Sequence, residues 1–216
     1  MNDGAGSPSI AHSILSILKS KKLCMRFLIS CFIWMTCCFC YYGLSLISTN
    51  IAGENRYISF IIVACVEIPG CMTLPLLNRM ARRKLLSIAL ILTGLCTIVK
   101  PFISEKHSTI ILVFFMLGKA STTCAFTTVY TFTAEMWPTC IRTTIMNSCS
   151  MVARIGSMIA PFTPLLASHF VALPFFLFGS TAIFAGMLVF FLCETFGKKL
   201  PDSIDDAKNL YKNAGY

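Results

Sequence analysis

Six long apolar stretches alternate with short polar segments along the chain. A helix that spans a lipid bilayer needs about 20 mostly apolar residues, which is close to the length of each stretch. Because the connections are short, consecutive spans must run antiparallel, and an even number of spans places both termini on one side of the membrane. The pattern predicts six membrane-spanning helices, at residues 25–47, 57–77, 85–102, 109–133, 147–166 and 171–193.

Prolines within these stretches predict interrupted helices. Pro69 is followed by Gly70 in the second span, and Pro161 and Pro164 lie in the fifth. Proline removes a backbone hydrogen bond and crowds the preceding turn. Broken helices at mid-depth are typical of transporter sites and hinges, although membrane helices also tolerate proline in general.

The composition agrees with a membrane protein and excludes other classes. Of the 216 residues, 56% are apolar and only 12% are charged, whereas soluble domains carry about 25% charged residues. Most of the twelve cysteines lie inside apolar stretches, where a thiol acts as a small apolar side chain. We predict an all-α membrane protein with a cytoplasmic segment at 1–22, a transmembrane lobe at 23–194 and a cytoplasmic tail at 195–216.

The net charge of +9 indicates membrane topology and not nucleic-acid binding, because the basic residues lie between the apolar stretches. One side of the membrane collects thirteen of the eighteen basic residues, and the other side collects three. By the positive-inside rule, we expect both termini in the cytoplasm of an integral membrane protein, with the plasma membrane as its location. The thirteen are Lys19, Lys21, Lys22, Arg26, Arg79, Arg82, Arg83, Lys84, Arg142, Lys198, Lys199, Lys208 and Lys212.

Three ionisable side chains fall near mid-depth: Glu67 in the second span, Lys119 in the fourth and Arg154 in the fifth. Charges at this depth are costly, usually pair or face a cavity, and often mark a substrate route. We predict that Glu67 neutralises Lys119, which leaves Arg154 for a substrate carboxylate or another anion. Two alternatives stay open: Glu67 bridges both cations, or a part of the protein outside this chain supplies the second partner.

Polar and aromatic side chains line the same spans. Helical spacing places Lys119, Thr127 and Tyr130 on one face of the fourth span. Trp34 and Tyr41 share a face of the first span, where aromatic rings can stack against a cationic or apolar solute. Hydroxyl and aromatic side chains also serve plain helix packing, which is the competing interpretation. The candidate substrate-binding residues are Arg154, Lys119, Glu67, Trp34, Tyr41, Thr127 and Tyr130.

The segment after the fourth span carries a recognisable motif. Ala134-Glu135-Met136-Trp137-Pro138-Thr139, followed by Arg142, resembles the A-E-L-Y-P-T-x-x-R signature of the organic cation/anion/carnitine transporter family, which belongs to the major facilitator superfamily. Met136 and Trp137 depart from Leu and Tyr but keep the residue class. Further segments resemble the family in the same order and extend the resemblance over about residues 14–212. They are Tyr41-Tyr42-Gly43-Leu44, Val66-Glu67-Ile68-Pro69, Arg82-Arg83-Lys84, Gly118-Lys119, residues 149–156 and residues 194–201.

The resemblance implies the second of the family's two six-helix lobes. It also implies an anionic or zwitterionic, carnitine-like substrate, because cation-selective members resemble this chain but carry Asp at the position of Arg154. At the cytoplasmic helix ends, basic residues are expected to meet helix C-terminal carbonyls or an acidic partner and to lock one gate state. Glu135 and Arg142 are expected to form the same kind of contact. The candidate gating residues are Arg79, Arg82, Arg83, Glu135 and Arg142.

Two functions are compatible with these features. The first is transport of small organic ions by alternating access, with this chain as the C-terminal half of a carrier. Its partners are the lipid bilayer, the substrate and a missing N-terminal lobe or a full-length carrier. The second is a transport-incompetent truncated half, or incomplete gene product, that at most binds or regulates a full-length carrier. We expect no enzyme, because no nucleophile is paired with a base, and we expect no metal or cofactor.

Overall fold

The computed structural model describes residues 20–48, 56–71, 81–103, 107–167, 170 and 172–195. Arg79 and most of the two predicted cytoplasmic segments, at 1–19 and 196–216, lie outside the described residues. Within the described ranges the chain is helical or forms short connections between helices, which confirms the all-α prediction.

The helices follow the six predicted spans. Four stretches, in α1, α3, α4 and α7, are long and apolar enough to cross a membrane. The described part of α2 contains a shorter apolar helix, and α5 continues into α6 to complete the fifth span. The helices are α1 (Lys21–Ser48), α2 (Arg56–Cys71), α3 (Arg82–Val99), α4 (Ser108–Met136), α5 (Arg142–Ile159), α6 (Thr163–Ala167) and α7 (Leu173–Leu188), with 3-10 turns at Lys100–Phe102, Ala160–Phe162 and Val189–Phe191.

The predicted helix breaks have different outcomes. The fifth span is interrupted, because α5 ends at Ile159 and a 3-10 turn that contains Pro161 separates it from α6. The prediction of a break at Pro69 is wrong, since α2 runs through this residue to Cys71. Membrane helices tolerate such a proline. The adjacent Gly70 serves packing instead: a Cβ there would lie 2.9 Å from the carbonyl oxygen of Ala120 in α4.

Glycines bring the helices close together. α3 lies against α4 and α7, α1 lies against α5, and α2 lies against α4. Between α3 and α7, a Cβ at Gly94 would lie 2.5 Å from Ile183 Cγ1. Between α1 and α5, a Cβ at Gly156 would collide with the carbonyl oxygen of Met35. Close backbone approach is how membrane helices gain van der Waals contact, since lipid gives them no hydrophobic driving force to associate.

One end of the lobe gathers several charged side chains. α3 and α5 begin there with Arg82 and Arg142, and α4 ends there next to Glu135. The chain that follows α7 reaches the same end, because the carbonyl of Leu192 accepts a hydrogen bond from Arg83. We call this region the basic end and define it by Arg82, Arg83 and Arg142. A second group of charged side chains lies farther along the helices, near the middle of α4.

Candidate functional site

An ion pair joins α4 to α2 at mid-depth. Lys119 Nζ lies 3.0 Å from Glu67 Oε1, so the pairing predicted from the sequence is present. The lysine side chain is 1% exposed, whereas the glutamate side chain is 28% exposed. Glu67 is therefore the more exposed member of the pair.

α1 completes the environment of the lysine. Lys119 Nζ donates to Ser45 Oγ over 2.6 Å and to the carbonyl oxygen of Tyr41 over 3.2 Å. It also lies 3.6 Å from the centre of the Tyr41 ring, where the negative face of the ring attracts a cation. The Tyr41 hydroxyl donates to Glu67 Oε2 over 2.9 Å. We call Tyr41, Ser45, Glu67 and Lys119 the charged cluster, and it ties together three helices.

A row of four aromatic rings extends from this cluster. Tyr41 stacks on Phe126 with centroids 5.3 Å apart, Phe126 lies 5.4 Å from Tyr130, and Tyr130 lies 4.3 Å from Trp34. Trp34 Nε1 donates to Thr133 Oγ1 over 2.9 Å. Trp34 is 1% exposed and Tyr130 is 39% exposed. Trp34, a candidate substrate contact, lies beneath Tyr130 in this conformation, and its contact with a solute stays a prediction.

Arg154 lies on the exposed surface of α5. Among the described side chains, no carboxylate forms an ion pair with it. The mid-depth region thus contains one compensated cation, Lys119, and one cation that is open to an anionic partner. The alternative in which Glu67 bridges both cations is absent from the described contacts.

The threonine hydroxyls on this face of α4 donate hydrogen bonds to backbone carbonyls of the same helix. Thr123 Oγ1 donates to the carbonyl oxygen of Lys119 over 3.1 Å, and Thr127 Oγ1 donates to that of Thr123 over 3.0 Å. Each hydroxyl therefore has its donor satisfied and keeps oxygen lone pairs as acceptors. Thr123 is buried, whereas Thr127 is half-buried and faces the side of α4 that carries Tyr130.

The basic end holds a second ion pair. Arg82 Nε lies 3.0 Å from Glu135 Oε2, which links the start of α3 to the end of α4. Thr195 Oγ1 donates to the same carboxylate oxygen over 2.8 Å. Arg83 Nη1 donates to the carbonyl of Leu192 over 3.2 Å, as expected for a basic residue near a helix C-terminus. The contacts predicted for Arg82 and Arg83 are present, and their gating role stays a prediction.

Arg142 behaves differently from its expected pairing. The carboxylate of Glu135 is used by Arg82 and Thr195 and not by Arg142. The buried Nε and Nη2 atoms of Arg142 have no hydrogen-bond partner among the described residues. The reason is that packing of α3 on α4 brings Arg82 to the carboxylate, whereas Arg142 begins the next helix. Within the described residues, no group of three His, Cys, Asp or Glu side chains is arranged to hold a metal ion.

Sequence reasoning missed three residues that shape these sites. Ser45 follows Tyr41 by one helical turn, and Phe126 precedes Tyr130 by one turn. Helical spacing therefore places each of them beside a candidate substrate-binding residue. Thr195 follows the sixth span and contacts the Arg82–Glu135 pair through the fold alone. No local sequence pattern indicated that last contact.

Helices α1–α7 form six packed segments, since α5 and α6 together make the fifth, and this arrangement fits one six-helix lobe of a membrane protein. The charged cluster joins three of these segments. A solved structure of the xylose transporter XylE from E. coli, in an inward-open conformation, superposes with a TM-score of 0.65 at 14% identity. The match covers 88% of this chain and 52% of that one. At this identity the similarity shows the fold.

The chain belongs to the Major Facilitator Superfamily, which residues 57–213 match. The resemblance to the organic cation/anion/carnitine transporters is also confirmed. The chain is 34% identical to the organic cation transporter protein of Drosophila melanogaster, over 94% of this chain and 37% of that protein. It is 32% identical to the human organic cation/carnitine transporter 2, over 95% of this chain and 37% of that protein. It is 31% identical to rat solute carrier family 22 member 6, over 91% of this chain and 36% of that protein.

The chain spans little more than a third of the length of these curated relatives. With this family and four membrane-spanning helix candidates in the described residues, it is an integral membrane protein.

Proposed function

We propose that this chain forms one six-helix lobe of a carrier that moves small organic ions across a membrane by alternating access. Relatives named as organic cation and carnitine transporters support this substrate class, and the fold shared with a sugar transporter supports the mechanism. In this proposal residues 1–22 and 195–216 are cytoplasmic, and residues 23–194 form the lobe. The carrier lies in the plasma membrane with both termini inside the cell.

The imbalance of charge at mid-depth is the observation that carries the substrate class. Lys119 is neutralised by Glu67, whereas Arg154 is exposed and has no ion pair among the described residues. An exposed guanidinium at this depth favours a carboxylate, which it can bind through two parallel hydrogen bonds. We therefore propose an anionic or zwitterionic, carnitine-like solute whose carboxylate binds Arg154.

The remaining candidate residues supply the other contacts of such a solute. The exposed part of Tyr130 offers an aromatic face for a cationic or apolar group, and Thr127 offers a hydroxyl oxygen. Glu67 attracts the cationic end, because its side chain is partly exposed while Lys119 and Tyr41 hold its carboxylate in place. Lys119 and Trp34 are almost completely buried in this conformation, so they position Glu67 and Tyr130.

The basic end is proposed as a gate. The Arg82–Glu135 pair joins two helix ends that must change their relationship if the cytoplasmic side opens and closes. Arg83 contributes through its hydrogen bond to the carbonyl oxygen of Leu192, which follows α7. Arg142 and Arg79 are proposed to complete the gate with acceptors outside the described contacts. The opposing lobe is the proposed source of the second wall of the substrate site.

Uptake by cells that express the complete carrier with an Arg154→Asp substitution tests the proposal. We expect uptake of labelled carnitine and of an organic anion to fall about tenfold or more relative to an organic cation, because a charge-assisted hydrogen bond contributes about 1.5–3 kcal/mol. Arg154→Lys is the matched control, because it keeps the positive charge and should keep the preference. An unchanged ratio of anion to cation uptake in the Asp variant would show that Arg154 does not select the substrate.

Expression of residues 1–216 without further sequence addresses the second function. The proposal predicts no uptake by this lobe alone and uptake when an opposing lobe is supplied, because one lobe provides one wall of the site. Co-purification with a full-length carrier, together with no uptake in any combination, would favour a regulatory half instead.

A further inference from the structure

Two thiols from different helices meet in the core of the lobe. Cys31 Sγ in α1 and Cys149 Sγ in α5 lie 3.8 Å apart, within range of an S–H···S hydrogen bond. Cys31 is 7% exposed, and Cys149 is completely buried. The residues are 118 positions apart in the sequence, so this pair is a product of the fold.

The pair lies between the helices that carry the proposed substrate contacts. Cys31 precedes Trp34 by about one turn of α1, and Cys149 precedes Arg154 by five residues in α5. The two backbones approach closely at Gly156 and Met35, which limits relative movement of the helices. A covalent bond between the thiols would remove the remaining freedom of α1 against α5.

We propose that Cys31 and Cys149 form an oxidisable dithiol that a hydroperoxide converts into a disulfide between α1 and α5. Cys31, the more exposed of the two, attacks the peroxide oxygen as a thiolate, which breaks the O–O bond and gives a sulfenic acid. With hydrogen peroxide the leaving hydroxide takes up the thiol proton and departs as water. Cys149 sulfur then attacks the sulfenic sulfur, and a second water leaves. The two thiols lose two electrons, and the peroxide gains them.

The distance between the two sulfur atoms is the observation on which this step rests. A disulfide requires about 2.0 Å between the sulfur atoms. Starting from the observed contact, the gap must shorten by about 1.8 Å, shared between two side chains. Because the cross-link depends on the two thiols and on α1–α5 packing alone, its test is separate from the proposed transport function.

Peroxide treatment of membranes that contain the protein tests the proposal. The treated sample is denatured in detergent with N-ethylmaleimide and is then digested without reductant. Mass spectrometry should find the Cys31 and Cys149 peptides joined, with the loss of two hydrogen atoms, and dithiothreitol should separate them. Cys96 is the matched control, because it is buried in α3 and has no sulfur partner among the described contacts. Its peptide should remain labelled by maleimide.

Two results would overturn the proposal. The first is complete maleimide labelling of Cys31 and Cys149 after peroxide treatment. The second is a sulfinic acid on either residue without the joined peptide. In the Cys31→Ser variant Cys149 should remain labelled by maleimide, and in the Cys149→Ser variant Cys31 should carry an oxidised sulfur but no joined peptide. Cross-linking of either remaining cysteine to another cysteine would show that the contact is not specific. If these variants do not accumulate, the unmodified protein alone decides the question.

Discussion

Glu67→Gln removes the negative charge beside Lys119 and keeps an oxygen that can accept a hydrogen bond. The lysine side chain is 1% exposed, so its ammonium group cannot exchange the lost carboxylate for water. The substitution therefore leaves a buried cation without a counter-charge. We expect the free energy of unfolding to fall, and the structure allows its size to be worked out.

Loss of one partner from a buried ion pair costs about 3–5 kcal/mol. The expected loss here is smaller, about 2 kcal/mol, because Glu67 is partly exposed and Lys119 keeps its contacts with Ser45 and Tyr41. For a chain of this size that corresponds to a fall of about 4–8 °C in Tm. Lys119→Met should cost less, since the carboxylate that remains can reach water. The double variant should regain most of the stability, because it leaves no unpaired charge.

Tryptophan fluorescence during thermal or detergent-induced unfolding measures these differences. The chain has two tryptophans, Trp34 and Trp137, and both are almost completely buried, so each reports loss of the folded lobe. A Glu67→Gln variant with unchanged stability would refute the argument. So would a double variant that is less stable than Glu67→Gln, because the ion pair would then not be the source of the loss.

Two further predictions concern the hydroxyl of the charged cluster and the pair at the basic end. Tyr41→Phe should cost about 1 kcal/mol in the same unfolding assay, since it removes the hydrogen bond to Glu67. Tyr42→Phe, at an exposed neighbour, should leave stability unchanged, and equal effects of the two substitutions would contradict this reasoning. Arg82→Glu should alter the uptake rate of the complete carrier, and Arg82→Glu combined with Glu135→Arg should restore it, because the reversed charges can pair. No recovery in the combined variant would show that this contact does not control the gate.

The approximate bounds of the helices could be predicted because they depend on the length and polarity of each stretch. The same information pairs Glu67 with Lys119, since Glu67 is the one carboxylate that falls within the predicted spans near mid-depth. The position of a residue along a span does not tell which way its side chain faces, because that depends on the rotation of the helix about its axis. Trp34 therefore lay among the candidate contact residues, although its ring is buried under Tyr130. Phe126 is not among the candidate residues, because helical spacing does not distinguish an aromatic side chain that joins the row of rings from one that faces lipid.

Contacts at the basic end were harder to predict because they join distant parts of the chain. Arg142 is seven residues from Glu135, and this proximity in sequence favoured their pairing. In the fold, the packing of α3 against α4 brings Arg82 to the carboxylate, although the two residues are 53 positions apart in the sequence. Thr195 reaches the same oxygen because the chain after α7 returns to this end. Charge and position identified the region, whereas helix packing selected the partners.

The two charged regions differ in how open they are to a solute, and this difference bears on the proposed substrate. Glu67 already accepts from both Lys119 and Tyr41, so a cationic group that approaches it competes with two established contacts. Arg154 has no such competitor among the described residues. Binding at Arg154 should therefore cost less reorganisation than binding at Glu67. We infer that the anionic group of a solute contributes more to affinity than its cationic group, which favours a zwitterion or an anion over a simple cation.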